Sequence, residues 1–216
     1  MWWIIASAMA QEPAILLPGN YTEIVEVQDT DWLALRCDDQ GSCSLTPTTV
    51  QVAQSQGQSA VRAEGGALAL VQGLPAGPVS TEFASPQALP RYTSVKLGAG
   101  TRLVADGGGN YRMMLSFQGS AQPVLTLPST KGRTPGIRFA GDLDGDGKID
   151  LILDSSGDKG LAGCVLLLSS AAAEGQLIAQ VASFQASVKP PAVIPAGQTV
   201  RQQVDLGTLG VSPENP

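Results

Sequence analysis

The stretch "GDLDGDGKIDLILD", Gly141 to Asp154, places five aspartates within thirteen residues: Asp142, Asp144, Asp146, Asp150 and Asp154. Carboxylates at every second position of a short turn have one obvious use, which is to surround a hard cation with oxygen. Counted from Asp142, aspartates stand at positions one, three, five and nine, and Gly147 stands at six. Calcium takes six to eight oxygens at about 2.3–2.6 Å, and a short loop reaches around it only if alternate side chains point inward. Position six must turn sharply at positive φ, which glycine does at least cost. Position seven, Lys148, is expected to offer its backbone carbonyl while its ammonium stays in solvent, and Asp150 is expected to close the shell. Asp154 and Asp158 are expected outside it, as outer neighbours or solvated acids. The competing reading is an ordinary acidic turn, but four carboxylates so close repel one another strongly without a cation. Magnesium tolerates crowded protein ligands poorly, so Ca2+ is the expected ion.

The loop is not a helical calcium hand. That pattern needs an acid at position twelve, and here position twelve is Leu153. On its C-terminal side, "IDLILD" alternates like a strand, with Ile149, Leu151 and Leu153 on one face; on its N-terminal side, "GIRFAG" is also strand-like. The expected site is therefore a β-hairpin. The segment "FAGDLDGDGKIDLIL", Phe139 to Leu153, resembles the FG-GAP or VCBS type of repeat found in integrin-like propellers and in many secreted bacterial proteins. The resemblance implies an ion held at a strand–loop–strand turn by Asp142, Asp144, Asp146 and Asp150 with the carbonyl of Lys148. One copy of the motif is present, whereas a propeller needs several blades. The resemblance thus bears on the site and not on a propeller.

The elements that must position the loop are strands. "YTEIVEV", "WLALRC", "TTVQVAQ" and "ALALVQ" alternate with period two, and so do later segments such as "TRLVAD", "YRMMLSF" and "CVLLLSS". The expectation is an all-β protein of antiparallel, sandwich-like sheets in two small β units. Residues 11–75 form the first unit, with a Cys37–Cys43 hairpin. Residues 76–90, rich in Pro and small side chains, read as a linker. Residues 91–188 form the second unit, carrying the calcium loop 142–150, and residues 189–216 form a Pro-rich extended tail. "DGGGN", Asp106 to Asn110, reads as a hairpin turn, and "SSAAAEGQ" as the one short helical piece.

Composition bounds the function. The chain has 216 residues, 43% of them hydrophobic and 15% charged, enough for a real core. The net charge of −6 is concentrated: six of the nineteen acids lie between 142 and 158, opposed before that last acid only by Lys148. No basic stripe exists, so nucleic acid is not an expected partner. There is no histidine, which removes Ser-His-Asp and Cys-His catalysis and imidazole acid–base chemistry. The first ten residues, "MWWIIASAMA", are apolar and end in an A-x-A pattern, read as a signal peptide at residues 1–10. They are too short to span a bilayer, and no later segment reads as a membrane span. Cys37 and Cys43 bracket "DDQGS", a turn that brings them within disulfide distance and suits an oxidising compartment. Cys164 reads as a buried small hydrophobe and Trp32 as core. The expected protein is periplasmic or secreted, non-catalytic and calcium-binding, with the ion stabilising a hairpin or preparing it for an unidentified protein or glycan partner. Two alternatives compete. A carboxylate-dependent, glycosidase-like hydrolase would need an acid such as Glu23, Glu26, Glu64 or Glu82 paired with another in a cleft. An adhesin or assembly subunit would present the hairpin and a strand edge to another chain.

Overall fold

The computed structural model describes residues 12–27, 31–98, 100–128, 130, 133–158 and 160–189. The expected signal peptide and the tail beyond Lys189 lie outside the described residues. The first strands are β1 (Ala14–Leu16), β2 (Gly19–Tyr21), β3 (Leu33–Cys37), β4 (Cys43–Pro47), β5 (Val50–Ser55), β6 (Gln58–Ala63), β7 (Ala69–Gln72), β8 (Gly77–Phe83) and β9 (Gln87–Ala88). The later ones are β10 (Ser94–Lys96), β11 (Thr101–Asp106), β12 (Tyr111–Phe117), β13 (Ser120–Leu127), β14 (Gly136–Asp142), β15 (Asp150–Asp154), β16 (Leu161–Leu168) and β17 (Ala179–Ser187). Every pairing is antiparallel. The molecule is all-β, as the alternation predicts.

A ten-stranded sheet runs β1-β7-β3-β4-β8-β14-β15-β16-β17, with β9 beside β14. Its first and last strands, β1 and β17, touch, so the sheet curls toward closure and is barrel-like. Smaller sheets β10-β11-β12-β13 and β2-β6-β5 complete the fold. The long sheet crosses both expected units, and β8 stitches them together. Its first half pairs with β4 (Cys43 opposite Val79) and its second half with β14 (Asp142 opposite Ser80). Residues 76–90 are therefore not a bare linker. Gly77 and Pro78 suggest a break in the sequence, but they occupy the first two positions of β8, where a missing N–H is tolerated.

Two further expectations change. The segment "YTEIVEV" leaves the ladder after Tyr21: the Val25 amide donates to the Ser59 hydroxyl (2.8 Å) instead of to a neighbouring strand. The "SSAAAEGQ" segment forms turns, and among the described residues there is no helix. Its two serines are committed to the aspartate loop.

The strands that carry that loop are apolar on both faces. On β15 and β16, Leu151, Leu153, Val165 and Leu167 pack toward the four-stranded sheet with Leu103, Met113 and Leu115. Ile152, Cys164, Leu166 and Leu168 face the other way, against Leu35, Leu45 and Phe139. Leu151, Ile152 and Leu153 are fully buried. Each such side chain contributes about 1.5–3 kcal/mol relative to exposure, so the loop rises from a stiff platform. Trp32 is buried in the third cluster, beside Tyr21 and Val61. Met113 points into the core and Met114 is half-buried.

Candidate metal centre

The loop Leu143–Ile149 connects β14 to β15. Its entry is fixed by close packing: a Cβ on Gly141 would stand 2.0 Å from the Ser80 carbonyl oxygen, so only glycine lets β8 approach there. The turn itself uses Gly145 (φ 85°) and Gly147 (φ 79°), both in the left-handed region that other residues enter at a cost.

Within this turn the carboxylates organise the backbone. Asp142 accepts from the Gly145 amide (2.7 Å) and the Gly147 amide (2.9 Å). Asp144 accepts from Asp146 N (3.2 Å), and Asp146 from Lys148 N (2.8 Å). These local bonds aim three side chains at one point. Oxygens of Asp142, Asp144 and Asp146 lie within 4.8 Å of one another. Lys148 Nζ stands 4.0 Å from Asp146 Oδ2 on an exposed side chain, so one screened ammonium faces three carboxylates. The donor set is all oxygen and negatively charged, which suits a hard divalent cation. This cluster can hold a metal ion.

Asp150 plays a different part from its three neighbours. It is fully buried. Its Oδ2 accepts from the Leu143 amide (2.8 Å) and its Oδ1 from the Ser169 amide (2.8 Å). Burial pushes its carboxyl up to about 6; the Ser169 and Leu143 amides oppose the rise, and the charges of Asp144 and Asp146 add to it. Asp150 thus ties the loop's first residues to the end of β16, and it stands outside the three-aspartate cluster.

Two residues with no signal in the local motif complete the site. The Ser169 hydroxyl donates to Asp146 (2.8 Å), and the Ser170 hydroxyl donates to Asp144. Both lie more than twenty positions along the chain, and they reach the loop because β16 runs antiparallel to β15. The doublet "SS" after an apolar strand is common enough that only the folded arrangement reveals its role.

The remaining acids are elsewhere. Asp154 pairs with Arg133 (3.1 Å) and Arg138 (3.4 Å) and accepts from Ser156 N (2.8 Å). Asp158 accepts from Gly160 N (2.9 Å). Glu23 binds the Ser187 amide and hydroxyl (2.9 and 3.1 Å). Glu64 lines a hollow of about 930 Å³ beside Trp32 and Arg36, far along the chain from the aspartate loop. Glu26 lines a smaller one beside Val25 and Val52. Glu82 stands on a groove shared with Asp142, Lys148 and Glu174.

The cysteines divide as the sequence suggests. Cys37 and Cys43 form a disulfide across directly paired positions of β3 and β4. Cys164 is free and buried, and burial pushes its thiol up to about 12, which leaves it unreactive at neutral pH. Among the described residues no helix is long and apolar enough to cross a membrane. No protein-family model, curated protein or solved structure matches the chain.

Proposed function

We propose that this is an exported, non-catalytic calcium-binding β protein whose ion fixes the β14–β15 loop, for stability and for contact with a protein or glycan partner. The observation that carries the reading is the convergence of Asp142, Asp144 and Asp146, with oxygens within 4.8 Å of one another on a rigid hairpin. Calcium is favoured over magnesium because the donors are crowded protein oxygens on a glycine-containing loop. In the FG-GAP or VCBS type of hairpin that the segment resembles, the Lys148 carbonyl and Asp150 would join the three aspartates. Export is supported by the Cys37–Cys43 disulfide together with the apolar N-terminal sequence. A periplasmic or extracellular location would also supply calcium, so that a weak site stays filled.

Thermal melts in calcium and in chelator test this reading. Calcium raises the midpoint of the natural protein and leaves that of Asp144→Ala unmoved; an unchanged midpoint for the natural protein counts against the reading. A hydrolase remains the competing reading because Glu82 and Glu174 share one groove. A panel of chromogenic glycosides should give no turnover, and turnover lost in Glu82→Gln would make the protein an enzyme instead. An adhesin or assembly subunit predicts a size in solution that changes between calcium and chelator; a monomer in both disposes of that version.

A further inference from the structure

The aspartate loop does not face open solvent on all sides. It forms one wall of a groove of about 820 Å³ between the long sheet and the four-stranded sheet. The size falls within the range of natural ligand sites. Leu115, Phe117, Ile149 and Leu177 supply its apolar surface. Two exposed acids, Glu82 and Glu174, stand on its walls. Neither has a hydrogen bond or ion pair among the described residues. Glu82 is also positioned: its carboxylate lies against Gly98, where a Cβ would stand 2.9 Å from Glu82 Cδ. The one cation on the described wall, Lys148, has its ammonium beside Asp146.

We propose that this groove binds a short peptide segment carrying a basic side chain next to an apolar one. Unpaired carboxylates over an apolar floor complement a lysine or arginine whose neighbour fills the floor, and the charge-assisted bonds would be among the strongest available there. An anionic ligand would meet uncompensated charge. A sugar would want aromatic faces, and Phe117 is the single aromatic side chain on the described wall. Peptide capture is a role beyond ion binding, and only the shape of one wall depends on the loop.

The test uses the full chain and a dye-labelled hexapeptide of alternating lysine and leucine, with fluorescence polarisation read in calcium and in chelator. Saturable binding is expected. The affinity falls about tenfold or more in the Glu82→Gln, Glu174→Gln double variant. It changes less than about twofold in Glu26→Gln, Glu64→Gln, which removes the same charge from other exposed sites. A glutamate–leucine hexapeptide should not bind. Equal weakening in both double variants would reduce the effect to overall acidity and overturn the proposal. So would the absence of binding, or preference for the glutamate peptide or a neutral oligosaccharide. Both sets of glutamates are exposed, so melting temperatures within ~1 °C of the natural protein confirm folded variants. The two readings fail separately. Peptide binding with no calcium-induced rise in melting temperature leaves the groove standing alone, and the converse leaves only the ion site.

Discussion

The long sheet contains two hairpins that close their turns by unlike means. Between β3 and β4, Cys37 and Cys43 are joined covalently, and Asp38 takes the amides of Gln40 (2.9 Å) and Ser42 (2.8 Å). Between β14 and β15 no such bond exists; carboxylates hold the turn through amides and through the hydroxyls of Ser169 and Ser170. The first closure needs only an oxidising environment. The second gathers negative charge into one small volume, so its stability depends on what neutralises that charge. On the reading proposed above, the β14–β15 turn responds to the supply of cations, whereas the β3–β4 turn responds to the redox environment.

The largest test of that contrast is Asp150→Ala. It strands the buried amides of Leu143 and Ser169, each at a cost of about 1–3 kcal/mol, and lowers the melting temperature by roughly 5–20 °C with or without calcium. A negligible drop would mean that Asp150 does not knot the loop to β16. Next comes ion removal. At a hundredfold excess over its dissociation constant, calcium adds about 2.7 kcal/mol, and differential scanning calorimetry in calcium and chelator reads that loss directly. Breaking the other hairpin with Cys37→Ser, Cys43→Ser costs about 2–2.5 kcal/mol for so short a loop. That cost should be equal in calcium and in chelator; inequality would show that the two turns are coupled.

Proton dependence sharpens the comparison further. Asp150 is raised from an ordinary 3.8 to about 6, so the folded chain binds a proton that the unfolded chain does not between those values. Its burden on stability is fully present above about pH 6 and is relieved as the pH falls toward 4. In chelator the melting temperature should therefore rise from pH 7 to pH 5, and Asp150→Asn should flatten the rise. Asp106, held low by the Gly107 amide and then by Arg112, loses its contribution only in stronger acid. The smallest effect is expected from Ser170→Ala, about 1 kcal/mol or less, seen as a modest change in calcium response.

The strands, the disulfide and the aspartate turn were legible in the amino-acid sequence because each is a local feature. The alternation of "WLALRC" and "TRLVAD" is a property of consecutive residues, and so is the requirement for positive φ at Gly147. Cys37 and Cys43 are six positions apart, within reach of one hairpin. The features that the sequence hid are non-local. β8 alternates in burial along its length, but Gly77 and Pro78 carry the signals of a break, and its partners lie more than thirty residues away on either side. Ser169 and Ser170 reach the loop only because β15 and β16 pair in one particular register. Asp150 reads as a fourth ligand by its spacing, whereas its burial and its two amide bonds depend on a neighbouring strand. The groove likewise draws Glu82 and Glu174 from segments that share no pattern.

Whether the three-aspartate turn holds calcium is decided by titration calorimetry of the chelator-treated full chain. Saturable heat corresponding to one ion per chain is expected, with a dissociation constant in the millimolar range or tighter, and no such heat from the Asp142→Ala, Asp144→Ala double variant. A natural protein that stays silent at millimolar calcium, or a double variant that binds as the natural protein does, would contradict the assignment.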